Sequence, residues 1–232
     1  MKKPYKVIFF DLDHTLWDYE SNSCETLQEL FDSYDLKNSG VLDCKTFQQQ
    51  FKKVNTQLWE LYDRGLITNE VIRKERFKQI LSHFDIENED LCEKLSVDYL
   101  YACPKKSGLI PHAVETLDYL SSNYSMTVVT NGFEEIQNLK LAAGNLHRYF
   151  DHIVTSQKAG AKKPSRQIFD YAMKAHNVKP HEVAMIGDNL ITDIGGALNA
   201  SIDTIYFNPE KVPHDVQVKY EISCLSELQN IL

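Results

Sequence analysis

The chain has 232 residues, 43% hydrophobic and 25% charged, which suits a globular protein with one core, or a core carrying a smaller insert, and excludes disordered and fibrous classes. Its net charge of -8 argues against nucleic-acid polymers and anionic membrane surfaces, which need a basic footprint, but not against small anions, since a metal ion reverses the local field. No apolar run approaches the roughly 20 residues of a membrane span, the stretch before Asp11 is too short for a signal peptide, and the five scattered cysteines form no Cys-x-x-Cys, so the expectation is a cytoplasmic protein with free thiols.

In chain order, Val7–Phe10 is the first of five short, continuously apolar runs. The others are Met126–Val129, His152–Val154, Val183–Ile186 and Asp203–Phe207. Such runs predict strands buried on both faces, as in a parallel sheet covered by helices. Helical patterns separate the later strands. Val114, Leu117 and Leu120 share a face behind Pro111; Ile168, Phe169, Ala172 and Met173 mark a second helix; Ile194, Ala197 and Leu198 mark a third. This alternation predicts an α/β fold with a doubly wound parallel sheet.

One region breaks the alternation. More than a hundred residues separate the first two strands, and they read as helices. Phe47, Phe51, Val54, Leu58 and Leu61 fall at helical spacing, followed less strictly by Val71, Phe77, Ile80, Leu81 and Phe84, and then by Leu91, Leu95 and Leu100. The expected organisation is a core of residues 1–18 and 106–232, with a helical domain inserted at residues 19–105.

Chemistry concentrates at the predicted C-terminal strand ends, where open parallel sheets bind ligands. The first strand ends in Asp11-Leu12-Asp13, the second in Thr130-Asn131-Gly132, and the fourth in Gly187-Asp188-Asn189, with Asp193 following. Taken separately, each stretch also reads as an ordinary turn or helix start. Together, Asp11, Asp13 and Asp188 would repel one another without a cation, and hard oxygen ligands suit Mg²⁺. The Thr130-Asn131-Gly132 turn offers a hydroxyl and backbone N–H groups to a phosphate. Lys162 and Lys163 precede Pro164; the fixed chain beside the proline favours Lys163 as the residue that neutralises a phosphoryl oxygen.

These four stretches, in this order and spacing, resemble the motifs of the haloacid dehalogenase superfamily: Asp11-x-Asp13-x-Thr15, Thr130, Lys163, and Gly187-Asp188 with Asp193. The resemblance implies a Rossmann-like core with an inserted helical C1 cap. It also implies an Mg²⁺-dependent phosphatase that forms an aspartyl-phosphate on Asp11. Asp13 would be the general acid and base, and its presence favours phosphate chemistry over dehalogenation. Asp11, the Asp13 backbone carbonyl and Asp188 would hold Mg²⁺, with Asp193 binding it directly or through water. Thr130, Lys163 and the backbone at Asn131 and Gly132 would hold the phosphate. His14 stands where the motif commonly has glycine. Within the superfamily the chain looks most like pyrimidine 5′-nucleotidases, which implies a nucleoside monophosphate substrate; the expected assembly is a monomer or weak homodimer. Trp17 would then either stack on the base or pack the cap against the core. A sugar-phosphate phosphatase or phosphomutase is the alternative enzyme, and a phospho-acceptor or nucleotide-binding module the non-enzymatic one.

Overall fold

The computed structural model describes residues 5–232. The chain forms two compact units, one combining the segment up to Tyr19 with Ser107–Leu232, the other Glu20–Lys106.

The first unit is built on a six-stranded sheet: β1 Val7–Phe10, β2 Ser125–Thr130, β3 His152–Thr155, β4 Val183–Gly187, β5 Asp203–Phe207 and β6 Tyr220–Ile222. The spatial order is β3-β2-β1-β4-β5-β6, and every pair is parallel. The predicted strands agree with β1–β5 to within a residue or two at each end. All four residues of β1 and all five of β4 are buried, as expected for strands covered on both faces. On one face Val7, Phe9, Val129, Val154 and Met185 pack with Ile168, Phe169, Ala172 and Met173. The strand order reverses direction at β1, whose neighbours are β2 and β4, so the C-terminal ends of β1 and β4 flank the topological switch point.

Two features depart from the expected pattern. β6 escaped notice because three residues, one of them an exposed glutamate, carry too little apolar signal; pairing with β5 through Ile205↔Tyr220 and Phe207↔Ile222 defines it. After β4, Leu190–Gly195 forms a π-helical turn before the short helix Gly196–Asn199. The wider turn and early stop leave Ile194 and Ala197 buried but Leu198 exposed, so the expected three-residue stripe contains two core residues.

The second unit is helical: α1 Tyr19–Ser33, which enters from the first unit, then α2 Cys44–Asp63, α3 Asn69–Ser82 and α4 Glu89–Ala102. Asp43 caps α2 through the Thr46 N–H (2.7 Å) and Asn88 caps α4 through the Leu91 N–H (3.0 Å), satisfying amides that a helix start leaves orphaned. The core of this unit is aromatic: Phe51 meets Phe77 and Tyr99 at centroid distances of 5.8 and 4.8 Å, and Phe47 lies 6.4 Å from Phe77. Leu61, expected on the apolar stripe of α2, is partly exposed near the helix end. No helix among the described residues is long and apolar enough to cross a membrane.

Candidate active site

The site lies at the switch point of the sheet unit. β1 and β4 run in register as far as Phe10↔Ile186, and the Asp11 N–H continues the ladder to the Ile186 carbonyl at 2.9 Å. Asp11 thus leaves the sheet beside the strand whose end carries Asp188. The turn after β4 returns Asp193 to the same point. Asn189 accepts from the Ile191 and Thr192 N–H groups (2.9 and 3.0 Å), while its own N–H donates to Asp193 Oδ2 at 3.0 Å. Gly187 is required by close approach: a Cβ there would fall 2.3 Å from Asp193 Oδ2.

One carboxylate oxygen from each of Asp11, Asp188 and Asp193 lies within 4.8 Å of the others. Lys163 enters this group with its ammonium 2.5 Å from Asp11 Oδ1 and 2.6 Å from Asp193 Oδ1. Three carboxylates against one ammonium leave two negative charges in a buried place. Burial pushes the Asp11 carboxyl well above its ordinary range; Lys163 opposes the shift, and Asp193 and Asp188 add to it. Asp188 is pushed up to about 6, mainly by burial and then by Asp193, with His14, Thr15 and Lys163 opposing. Burial disfavours the Lys163 charge, yet Asp11 and Asp193 together hold its pKa above the usual lysine value. Hard oxygen donors and a two-charge deficit fit a divalent cation.

Other motif residues hold these groups in place. Thr15, fully buried, donates to Asp188 Oδ1 at 3.1 Å. Asn131 clamps Lys163 from both sides, its amide donating to the Lys163 carbonyl (2.9 Å) and its oxygen accepting from the Lys163 N–H (2.7 Å). A link between the ends of two segments therefore fixes the base of the lysine. The Thr130 hydroxyl oxygen accepts from the Gly132 N–H at 3.0 Å, leaving the hydroxyl proton for another acceptor. That bond occupies the Gly132 N–H, so Gly132 contributes through shape: a Cβ there would meet the Gln137 side chain at 2.1 Å. Lys163, rather than Lys162, places its ammonium among the carboxylates, and the Lys163-Pro164 bond is cis.

Asp13 sits apart from the three-carboxylate group. Its two oxygens accept from the ammonium of Lys140, at 2.6 and 2.7 Å. Lys140 lies on α5 Ala113–Ser121's successor in the chain, α6 Glu134–Ala143, where Gln137, Lys140 and Leu141 form the buried face. Sequence reasoning missed Lys140. The available signal was a lysine and a glutamine on the stripe a helix turns inward. The Lys140 ammonium also lies over the Trp17 ring, 4.6 Å from its centroid. Trp17 is 0% exposed, with Tyr19 packed edge-on to it. Of the two roles left open for Trp17, this burial favours packing over stacking on a base. His14 has φ 62°, the left-handed region where a glycine costs least, and its N–H closes the loop onto the Trp17 carbonyl at 3.0 Å.

Residues 5–201 match the family described as haloacid dehalogenase-like hydrolases. The chain belongs to this family. The hydrolase is 32% identical to pyrimidine 5′-nucleotidase YjjG of Escherichia coli, over 97% of this chain and 96% of that protein. It is 31% identical to glyceraldehyde 3-phosphate phosphatase of Pyrococcus furiosus, over 98% and 91%. Its fold superposes on the crystal structure of the HAD-hydrolase YfnB of Bacillus subtilis, described as bound to magnesium, with a TM-score of 0.87, 27% identity and 98% coverage of both chains.

Proposed function

We propose that this hydrolase is an Mg²⁺-dependent phosphatase acting on pyrimidine nucleoside 5′-monophosphates. The observation that carries the reading is Asp11, held at a parallel-strand end among two further carboxylates and Lys163, with a second acid, Asp13, outside that group. This arrangement supplies a nucleophile, a cation site and a separate proton carrier.

An Asp11 oxygen attacks phosphorus as the bond to the leaving oxygen breaks, and Asp13 gives its proton to that oxygen. Asp13 then takes a proton from water as the water oxygen attacks the aspartyl-phosphate, releasing inorganic phosphate and the Asp11 carboxylate. Thr130 donates its hydroxyl to a phosphoryl oxygen and Lys163 neutralises one. Asp11, Asp188 and Asp193, with the Asp13 backbone carbonyl, would hold Mg²⁺, and the bound ion supplies charge neutralisation for the phosphoryl group. The likeness to YjjG supports a nucleotide as substrate.

Phosphate release from UMP, dUMP and dTMP, with and without EDTA and with Asp11→Asn as control, tests the proposal. Mg²⁺-dependent release from the wild type alone supports it. The likeness to glyceraldehyde 3-phosphate phosphatase favours a second reading, a sugar-phosphate phosphatase; good turnover of sugar phosphates with none of the three nucleotides would replace the first reading with the second.

A further inference from the structure

We propose that Lys140 is a positioning residue for the acid–base step: it fixes the Asp13 carboxylate in the orientation that proton transfer requires. The inference rests on the phosphatase reading above and adds a residue outside its motifs.

Three observations converge on it. The Lys140 ammonium bonds both oxygens of Asp13, at 2.6 and 2.7 Å, which sets the carboxylate plane as well as its position. Each oxygen keeps a further lone-pair direction for a leaving group or a water. The Lys140 side chain is only 5% exposed while that of Asp13 is 25% exposed, so the lysine holds from behind and the acid keeps an open side. Finally, the ammonium lies over the Trp17 ring, 4.6 Å from its centroid, and 5.6 Å from that of Tyr19. Aromatic faces attract a cation, so these rings form a seat that fixes where the ammonium sits.

The chain path explains why this lysine can reach. Asp13 and Trp17 are bridged within one tight loop, and Trp17 bridges in turn to Leu109. The loop is stitched by the Leu16 and Trp17 N–H groups, both donating to the Leu12 carbonyl at 2.9 Å. α6 follows the Thr130-Asn131-Gly132 turn. Gly132 lets Gln137 pack against the turn, and Lys140, three residues further along the helix, shares its buried face. Thus one element delivers the phosphate-binding turn and then the group that orients the proton carrier. A buried lysine otherwise costs desolvation; here Asp13 and the rings compensate.

The role concerns how the proton is delivered and retrieved. Asp13 must align with the leaving oxygen as the P–O bond breaks, passing its proton there, and must later align with the water whose oxygen attacks Asp11-bound phosphorus, taking a proton back. Misalignment by about 1 Å costs on the order of 100-fold in rate. A leaving group that departs as a stable anion needs no proton in the first step but still needs water activation in the second.

The test uses the full-length Lys140→Met variant with Mg²⁺, comparing p-nitrophenyl phosphate and a nucleoside monophosphate in steady-state and rapid-mixing assays. We expect kcat for the nucleotide to fall on the order of 100-fold with KM nearly unchanged. With p-nitrophenyl phosphate we expect a burst of one p-nitrophenolate per enzyme at the wild-type rate, followed by slow turnover. Lys140→Ala, assayed with added methylammonium, should recover part of the lost kcat. Equal losses in burst and steady-state rates, or a fall confined to KM, or no recovery with methylammonium in a variant whose circular dichroism matches wild type, would overturn the positioning role. Absence of Mg²⁺-dependent turnover in the wild type would instead remove the phosphatase reading itself.

Discussion

The two units of this hydrolase manage buried charge in opposite ways. In the sheet unit, Lys163 lies between Asp11 and Asp193, and Lys140 grips both oxygens of Asp13. Each buried ammonium there faces a carboxylate that the proposed chemistry uses. In the helical unit, Arg76 is buried and forms no ion pair with a carboxylate among the described residues. Its Nη1 donates to Asn55 Oδ1 at 3.2 Å, its Nε and Nη2 have no hydrogen-bond partner among the described residues, and the guanidinium lies 4.6 Å from the Tyr99 ring centroid and 5.4 Å from that of Phe51. Buried ammonium groups in the sheet unit are paired with carboxylates, whereas the buried guanidinium of the helical unit is packed against aromatic faces. Burial of a charged residue is therefore no mark of a reactive site by itself; what it faces distinguishes the two cases.

The largest effect should come from the sheet unit. Asp11→Asn should lower phosphate release by at least about 10³-fold. In metal-free buffer its thermal midpoint should hold or rise, because one of three mutually repelling carboxylates is gone. A fall in both activity and midpoint would show Asp11 to be chiefly structural and break the contrast. In the helical unit Phe51→Ala removes the ring between Phe77, Tyr99 and Arg76 and should cost about 3–5 kcal/mol in urea unfolding. Arg76→Met sharpens the comparison: exchanging a guanidinium with unmet donors for an apolar chain should be neutral or stabilising by about 1 kcal/mol. A loss of several kcal/mol, read from the same unfolding curves, would mean that Arg76 is satisfied after all.

A smaller effect is expected from pH. His176, bonded through Nε2 to Thr127 Oγ1 at 2.6 Å, has its pKa lowered by burial and by His152. The unfolded chain therefore binds the proton more tightly than the folded chain. Stability from this group is present above the ordinary histidine value of about 6.5 and is lost as pH falls through it towards the lower folded value. Denaturant midpoints between pH 5 and 8 should show this slope, and His176→Gln should flatten it. The smallest change is expected from His14→Gly. It relieves a left-handed residue at φ 62° worth about 1–2 kcal/mol, partly offset by glycine's greater unfolded-state entropy, so the midpoint should move up slightly.

Much of this was readable from residue order alone, for definite reasons. Continuous apolar runs marked β1–β5 because a strand covered on both faces cannot alternate, and strand-end acids followed because a parallel sheet gathers its C-termini on one edge. β6 was not readable, since its identity depends on pairing with β5. Trp17 was left between two roles, stacking on a base or packing inside the protein, because sequence carries no measure of enclosure; the structure buries it fully.

Residue order alone fixed the alternation of strands and helices, the helical stretch between the first two strands, and the placing of Asp11, Asp13, Thr130, Lys163, Asp188 and Asp193 at or beyond strand ends. How these residues group was settled in three dimensions: three carboxylates around Lys163, and Asp13 with Lys140 apart from them. The cause is range. Local pattern fixes which side of a strand or helix a residue occupies, but Lys140 stands 127 positions from Asp13, and only folding sets which of two charges separated so far along the chain share a hydrogen bond.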